Sequence, residues 1–139
     1  MTEQTTPQIT EQQRQQWLNE QFKKATKYLA ENGVVVSTVD DAASRYLYPL
    51  WAVLKVKAMD GAAFWVLSGD LPVDFISAGN AANCRDALRH FVMSWQLKAE
   101  NIQRSGITDQ TQLQFAAIMQ NRAEQLYKFV EKDEIWGSV

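Results

Sequence analysis

The pair Asp60-Gly61 constrains this chain more than any other feature. It stands between the apolar runs YPLWAVLKVKA and AAFWVLSGDL. An Asp-Gly pair so placed predicts a β-hairpin, because a two-residue type I′ turn needs positive φ at both central positions. Such a turn sets the pairing: Met59 opposite Ala62, Lys57 opposite Phe64, Val56 opposite Trp65, and Leu54 opposite Leu67. Side chains alternate along a strand, so this register gathers Leu50, Ala52, Leu54, Val56, Ala63, Trp65 and Leu67 on one apolar face. It leaves Trp51, Val53, Lys55, Lys57, Phe64, Val66, Ser68 and Asp70 on a second, partly wet face, with Phe64 over the lysine stems.

Helical patterns flank the hairpin. Thr10 reads as an N-cap with Gln13 at the capping-box position. Trp17, Leu18, Phe22, Ala25 and Leu29 follow at helical spacing, and Asn32-Gly33 is a stop. This predicts a helix from about Glu11 to Asn32. Val34-Val35-Val36 reads as a small strand or a packed connector. In STVDDAASRYLY, Asp40-Asp41 suits the cap of a short helical turn reaching Tyr46. Past the hairpin, Pro72 cannot donate to a central ladder and marks a bend or an edge. VDFIS then suits a short third strand.

A second helix starts at Asn83, as N-cap, and ends near Ser105-Gly106. Cys84, Leu88, Phe91, Trp95, Ala99 and Ile102 mark its core side, with Met93 and Leu97 opposite. A third starts at Thr108 or Asp109 and carries Phe115, Met119, Ala123, Leu126 and Val130. The short link predicts an antiparallel helical hairpin, and Ile135-Trp136 is placed to dock back. The expected fold is α+β: an N-terminal helix, an antiparallel two- or three-stranded sheet with the Asp-Gly hairpin, and a C-terminal two-helix hairpin packed on one sheet face. Residues 1–9 read as a flexible tail and 10–139 as a single domain.

Composition narrows the function classes. With 139 residues, 46% apolar and 22% charged, the chain can bury a real core. A net charge of −2 does not support a general grip on nucleic acid. The lone Cys84 excludes an internal disulfide and a multi-Cys zinc site. The N-terminus lacks the pattern of a signal peptide, and no apolar run approaches a membrane span. The expectation is a cytoplasmic protein with no cofactor, no metal, no nucleic-acid partner and no membrane contact.

Five polar residues are candidates for a site. Asp70 and Asp74 bracket Pro72, and paired carboxylates serve glycosidases and metal centres. Arg85 and Arg89 share a helix face near a helix start, where anions are favoured. The simpler reading pairs these arginines with Asp70 and Asp74; the alternative is a bound anion. His90 is a candidate general base, because histidine is the side-chain type suited to proton transfer near neutral pH. Ser94, one turn on, lacks the strained elbow of a nucleophile, so catalysis is not favoured. Cys84 reads as a buried structural thiol rather than a reactive one. Trp51 and Phe64 are the aromatic residues expected on the wetter sheet face.

Trp65, Gly69-Asp70-Leu71-Pro72, Asp74, Arg85, Ala87-Leu88-Arg89-His90-Phe91 and Trp95 together resemble a family of small gammaproteobacterial proteins of unknown function. The resemblance covers most of the chain outside the tail and implies no catalytic residue. The leading expectation is a non-enzymatic protein acting through contacts with an unknown protein or as a homodimer. Two-sided helix 2 and the wet sheet face motivate it. The alternative is a small-anion-binding domain with its site at Asp70, Asp74, Arg85 and Arg89, beside His90.

Overall fold

The computed structural model describes residues 10–137. The expected tail at 1–9 lies outside these residues. Helix α1 spans Glu11–Glu31 and opens with the capping box, Thr10 and Gln13 each accepting from the other's backbone N–H. Four strands follow: β1 (Val36–Leu47), β2 (Trp51–Ala58), β3 (Ala63–Gly69) and β4 (Asp74–Ser77). They form one antiparallel meander in the order β1-β2-β3-β4. Helices α2 (Cys84–Arg104) and α3 (Gln110–Val130) make the C-terminal hairpin, and a short helix, α4 (Asp133–Trp136), closes the chain. Asn83 caps α2 and Asp109 caps α3. The α+β class holds, with one strand more than the upper expectation.

The extra strand is β1. Its sequence is mostly polar and half of it is exposed, because it forms a sheet edge. The helical-turn signal at Asp40 is locally real. Asp40 accepts from the Ala43 N–H at 3.2 Å, as an N-cap does, and Ser44 Oγ donates to the Asp40 carbonyl at 2.8 Å. The chain then returns to the sheet instead of continuing as a helix. Pairing jumps from Asp40↔Lys55 to Arg45↔Val53, so the turn sits in the strand as a bulge. Ser44 Oγ accepts the Lys55 N–H at 3.0 Å and so replaces a lost ladder bond.

The hairpin is present, but its register differs by one residue from the expected one. The observed partners are Lys57↔Ala63, Val56↔Phe64, Lys55↔Trp65, Leu54↔Val66 and Val53↔Leu67. Gly61 alone in the turn has positive φ (94°), whereas a type I′ turn needs it at Asp60 too. The loop therefore takes three residues, Met59 to Gly61. It is closed by Ala58 N–H to Ala62 O (2.7 Å) and Gly61 N–H to Ala58 O (3.0 Å), and Asp60 accepts from Ala62 N–H at 3.0 Å.

That shift redistributes the faces. Trp51, Val53, Trp65 and Leu67 share one face and pack into the core with α2 and α3. Ala52, Leu54, Val56 and Val66 share the other and pack under Ala25 and Leu29 of α1. The expected wet face does not exist: Trp51, Val53, Val66 and Ser68 are all buried. The C-terminal hairpin covers one face, as anticipated, and α1 covers the other. Lys55 lies over Trp65, its ammonium 5.3 Å from the ring centroid, not beneath Phe64. Buried Gln21 of α1, absent from the expected apolar stripe, accepts a hydrogen bond from buried Ser68 of β3. Each satisfies the other, so both polar groups survive inside the core.

At the end of β3, backbone meets backbone. Gly69 has φ 135°, and a Cβ there would lie 2.4 Å from the Leu50 carbonyl oxygen and 2.7 Å from the Trp51 Cα. The next residue, Asp70, donates its N–H to that same carbonyl at 3.0 Å. From the other side Lys24 Nζ of α1 donates to the Gly69 carbonyl at 2.8 Å. Only glycine meets both the space and the dihedral. Gly69→Ala is expected to cost at least about 2 kcal/mol, read as a lowered urea midpoint at unchanged m-value.

Candidate functional site

The structure does not gather Asp70, Asp74, Arg85, Arg89 and His90 at one place. Arg85 turns to the far end of the helical hairpin, donating to the Val130 carbonyl at 2.8 Å and to Asp133 at 2.7 Å. It thus ties the start of α2 to the end of α3, where carbonyls are unpaired and a cation is favoured. Arg89 pairs within its own helix with Asp86 at 2.6 Å. Asp74, at the start of β4, accepts from the Phe75 N–H and from the Trp95 indole N–H, both at 2.8 Å, with Lys98 at 4.0 Å. It locks the edge strand to α2. His90 is half-buried on α2, and its side chain takes part in no hydrogen bond or ion pair found among the described residues. The arginines' carboxylate partners are Asp133 and Asp86, not Asp70 and Asp74. Sequence distance misled here, because Asp133 lies 48 residues from Arg85.

Asp70 has a different setting. It is exposed, and it lines a cleft of about 300 Å³ between the strand ends and the last turns of α3. Leu50, Trp51, Asp70 and Leu71 form the strand side; Arg122, Gln125, Leu126, Lys128 and Phe129 form the helix side. The Gly69 contact creates the strand side, since it brings the two chain segments together. The α3 periodicity creates the other: the buried stripe ends in Leu126 and Val130, and Arg122, Gln125 and Phe129 border it.

Two buried donors on residues that line this cleft lack acceptors. Of the four buried tryptophans, Trp65 donates to the Ala81 carbonyl, Trp95 to Asp74 and Trp136 to the Phe129 carbonyl. Trp51 is 2% exposed and stacks on Trp136 at 5.6 Å, yet its indole N–H has no partner among the described residues. Arg122 Nε is likewise buried without one. Buried polar groups are ordinarily paired, and each orphan costs about 1–3 kcal/mol. These two residues line the same cleft. A hollow of about 440 Å³ between α1 and β1, floored by Leu18, Phe22, Val39 and Leu54, contains no such group among the described residues.

The remaining candidates are structural. Cys84 is buried, its thiol 3.8 Å from the Val53 carbonyl. Burial pushes its pKa up from 9.0 to about 12, against the opposing influence of Arg45. Such a thiol is not a nucleophile at neutral pH. Among the described residues no three His, Cys, Asp or Glu side chains are grouped to hold a metal, and no helix is long and apolar enough to cross a membrane. Met93 and Leu97 face outward on α2, as expected, with 63% and 61% exposure.

These observations describe an α+β domain, a sheet covered on both faces, with a cleft of mixed charge at one end. The chain belongs to the family described as Domain of unknown function (DUF4826), which matches residues 11–136. No curated protein and no solved structure matches the chain.

The two arginines are expected to separate in a stability assay. Arg85→Ala should cost about 1–2 kcal/mol, from loss of a charged bond to a helix-end carbonyl. Arg89→Ala should cost under about 0.5 kcal/mol, as a half-exposed pair within one helix. Urea denaturation of both variants checks this. Cys84 should also impose a pH dependence. Its folded-state pKa is raised, so the folded protein keeps a proton that the unfolded chain releases above about pH 9. Stability should fall as pH rises from there toward 12, by up to about 1.4 kcal/mol per pH unit. Tyr28, raised by burial and then by Asp74 and Glu31, acts in the same direction. The difference between wild type and Cys84→Ala isolates the thiol, and denaturant midpoints measured across that range read it.

Proposed function

We propose that the chain is a non-catalytic binding domain that takes a small anionic ligand in the cleft between the strand ends and α3. What carries the reading is a cleft lined by two cations, Arg122 and Lys128, against apolar walls, next to two donors, Trp51 Nε1 and Arg122 Nε, that have no partner among the described residues. The Arg122 and Lys128 charges favour an anion. Leu50, Leu71, Leu126 and Phe129 supply the apolar walls usual in small-molecule sites. The volume lies at the lower end of the roughly 300–1,000 Å³ range of such sites, so the ligand is small.

No constellation supporting catalysis accompanies the cleft. Cys84 and His90 do not line it, and neither does Ser94. The protein-contact reading ranks second. Its support is Met93 and Leu97 exposed on α2 and Phe115, Ile118 and Tyr127 exposed on α3, against the about 800 Å² per partner of a standard interface.

A thermal-shift panel of small carboxylates with apolar tails, including hydroxy, keto and amino acids, tests the proposal. At least one member should raise the melting temperature of the wild type. A ligand at ~100 times its Kd contributes about 2.7 kcal/mol. The shift should vanish in Arg122→Gln, while the unliganded melting temperature stays equal or rises because an orphaned donor has been removed. A panel with no stabilising member, or one acting equally on Arg122→Gln, overturns the reading.

A further inference from the structure

The cleft carries opposite charges that do not meet. Arg122 and Lys128 stand on the α3 side and Asp70 on the strand side. Among the described residues neither Asp70 nor Lys128 enters any ion pair within 4.0 Å, and the Arg122 guanidinium donates only to the side-chain oxygen of neighbouring Asn121. Opposite charges facing a space this small would be expected to close on one another if the backbone allowed it. Here each is anchored on a different rigid element. Asp70 follows the Gly69 contact, held to Leu50 by its own N–H at 3.0 Å. Arg122 and Lys128 sit on a helix whose buried stripe fixes its rotation.

We infer that the ligand is a zwitterion: a free α-amino acid with an apolar side chain. This rests on the cleft reading above and deepens it. The carboxylate lies on the side of the Arg122 and Lys128 charges. The ammonium, one carbon away, turns toward Asp70. The side chain lies against Leu50, Leu71, Leu126 and Phe129. A plain fatty carboxylate would leave Asp70 facing the ligand's negative end without compensation, and a plain amine would set its charge against Arg122 and Lys128. A ligand that carries both charges on neighbouring groups answers Asp70 and the two cations together.

Isothermal titration of the full chain with three probes of matched shape tests this: L-leucine, 4-methylpentanoate, which lacks the amine, and 3-methylbutylamine, which lacks the carboxylate. L-Leucine should bind about tenfold or more tightly than 4-methylpentanoate; the factor is modest because Asp70 is exposed and its pairing is screened. In Asp70→Asn that ratio should fall to about one. The exposed Asp70 side chain makes no hydrogen bond or ion pair among the described residues, so the variant should fold. L-Leucine binding should be lost in Arg122→Gln. If 4-methylpentanoate equals or exceeds L-leucine in the wild type, or the preference survives in Asp70→Asn, the zwitterion is overturned and the anion site stands. The zwitterion is equally overturned if 3-methylbutylamine binds best. If no probe and no other carboxylate binds, both readings fall together.

Discussion

A one-residue offset between β2 and β3 governs the rest of this molecule. The three-residue loop at Met59 to Gly61 sets Val53 opposite Leu67 and Lys55 opposite Trp65. Through alternation it sends Trp51, Val53, Trp65 and Leu67 to one side and Ala52, Leu54, Val56 and Val66 to the other. The large side chains meet α2 and α3, which are rich in aromatic and aliphatic residues. The small and medium ones meet α1, whose buried contact residues are Gln21, Ala25 and Leu29. Over residues 51–54 and 65–69 neither side of the sheet meets water. The sheet positions open to a ligand are therefore displaced to its ends and edges.

The cleft is one outcome of that displacement. Trp51 opens β2 and Gly69 closes β3, and the two are direct partners in the ladder. Because Gly69 has no side chain, the Leu50 backbone can press against it, and Asp70 and Leu71 emerge beside Leu50 and Trp51. The Trp51 ring packs against Trp136 and Phe129 in the core, and its N–H has no acceptor among the described residues. A chain whose other buried indoles each have an acceptor retains one that does not. That contrast within a single molecule is the strongest argument that the Trp51 position serves something beyond packing.

Local signals in the sequence were read well where one neighbour decides the outcome. The Thr10–Gln13 capping box, the Asn83 cap and the Asp109 cap each involve residues three or fewer apart. The existence of the hairpin was equally plain. Its register was not, because Asp-Gly serves two loop lengths and the choice depends on which helix covers which face. β1 was missed because an edge strand need not be apolar and because the Asp40 turn imitates a helix start. Of the site, Asp70 was singled out for its neighbour Asp74, which instead binds the Phe75 N–H and the Trp95 indole and does not line the cleft. Arg122 and Lys128 carried no signal: one cation borders the buried stripe of a long amphipathic helix, the other lies off it, and nothing local links either to Trp51, some seventy residues away.

The bulge in β1 has a consequence for how copies of this chain can meet. An outer strand exposes a row of N–H and C=O groups that a second molecule can join. Here the row is broken between Asp40 and Arg45, where Ser44 and Asp40 turn side chains onto the backbone. The opposite edge, β4, offers only Asp74 to Ser77 before the chain turns away. Two edges so interrupted give a foreign strand little length to zip along. Both interruptions work against the runaway sheet growth that leads to fibres.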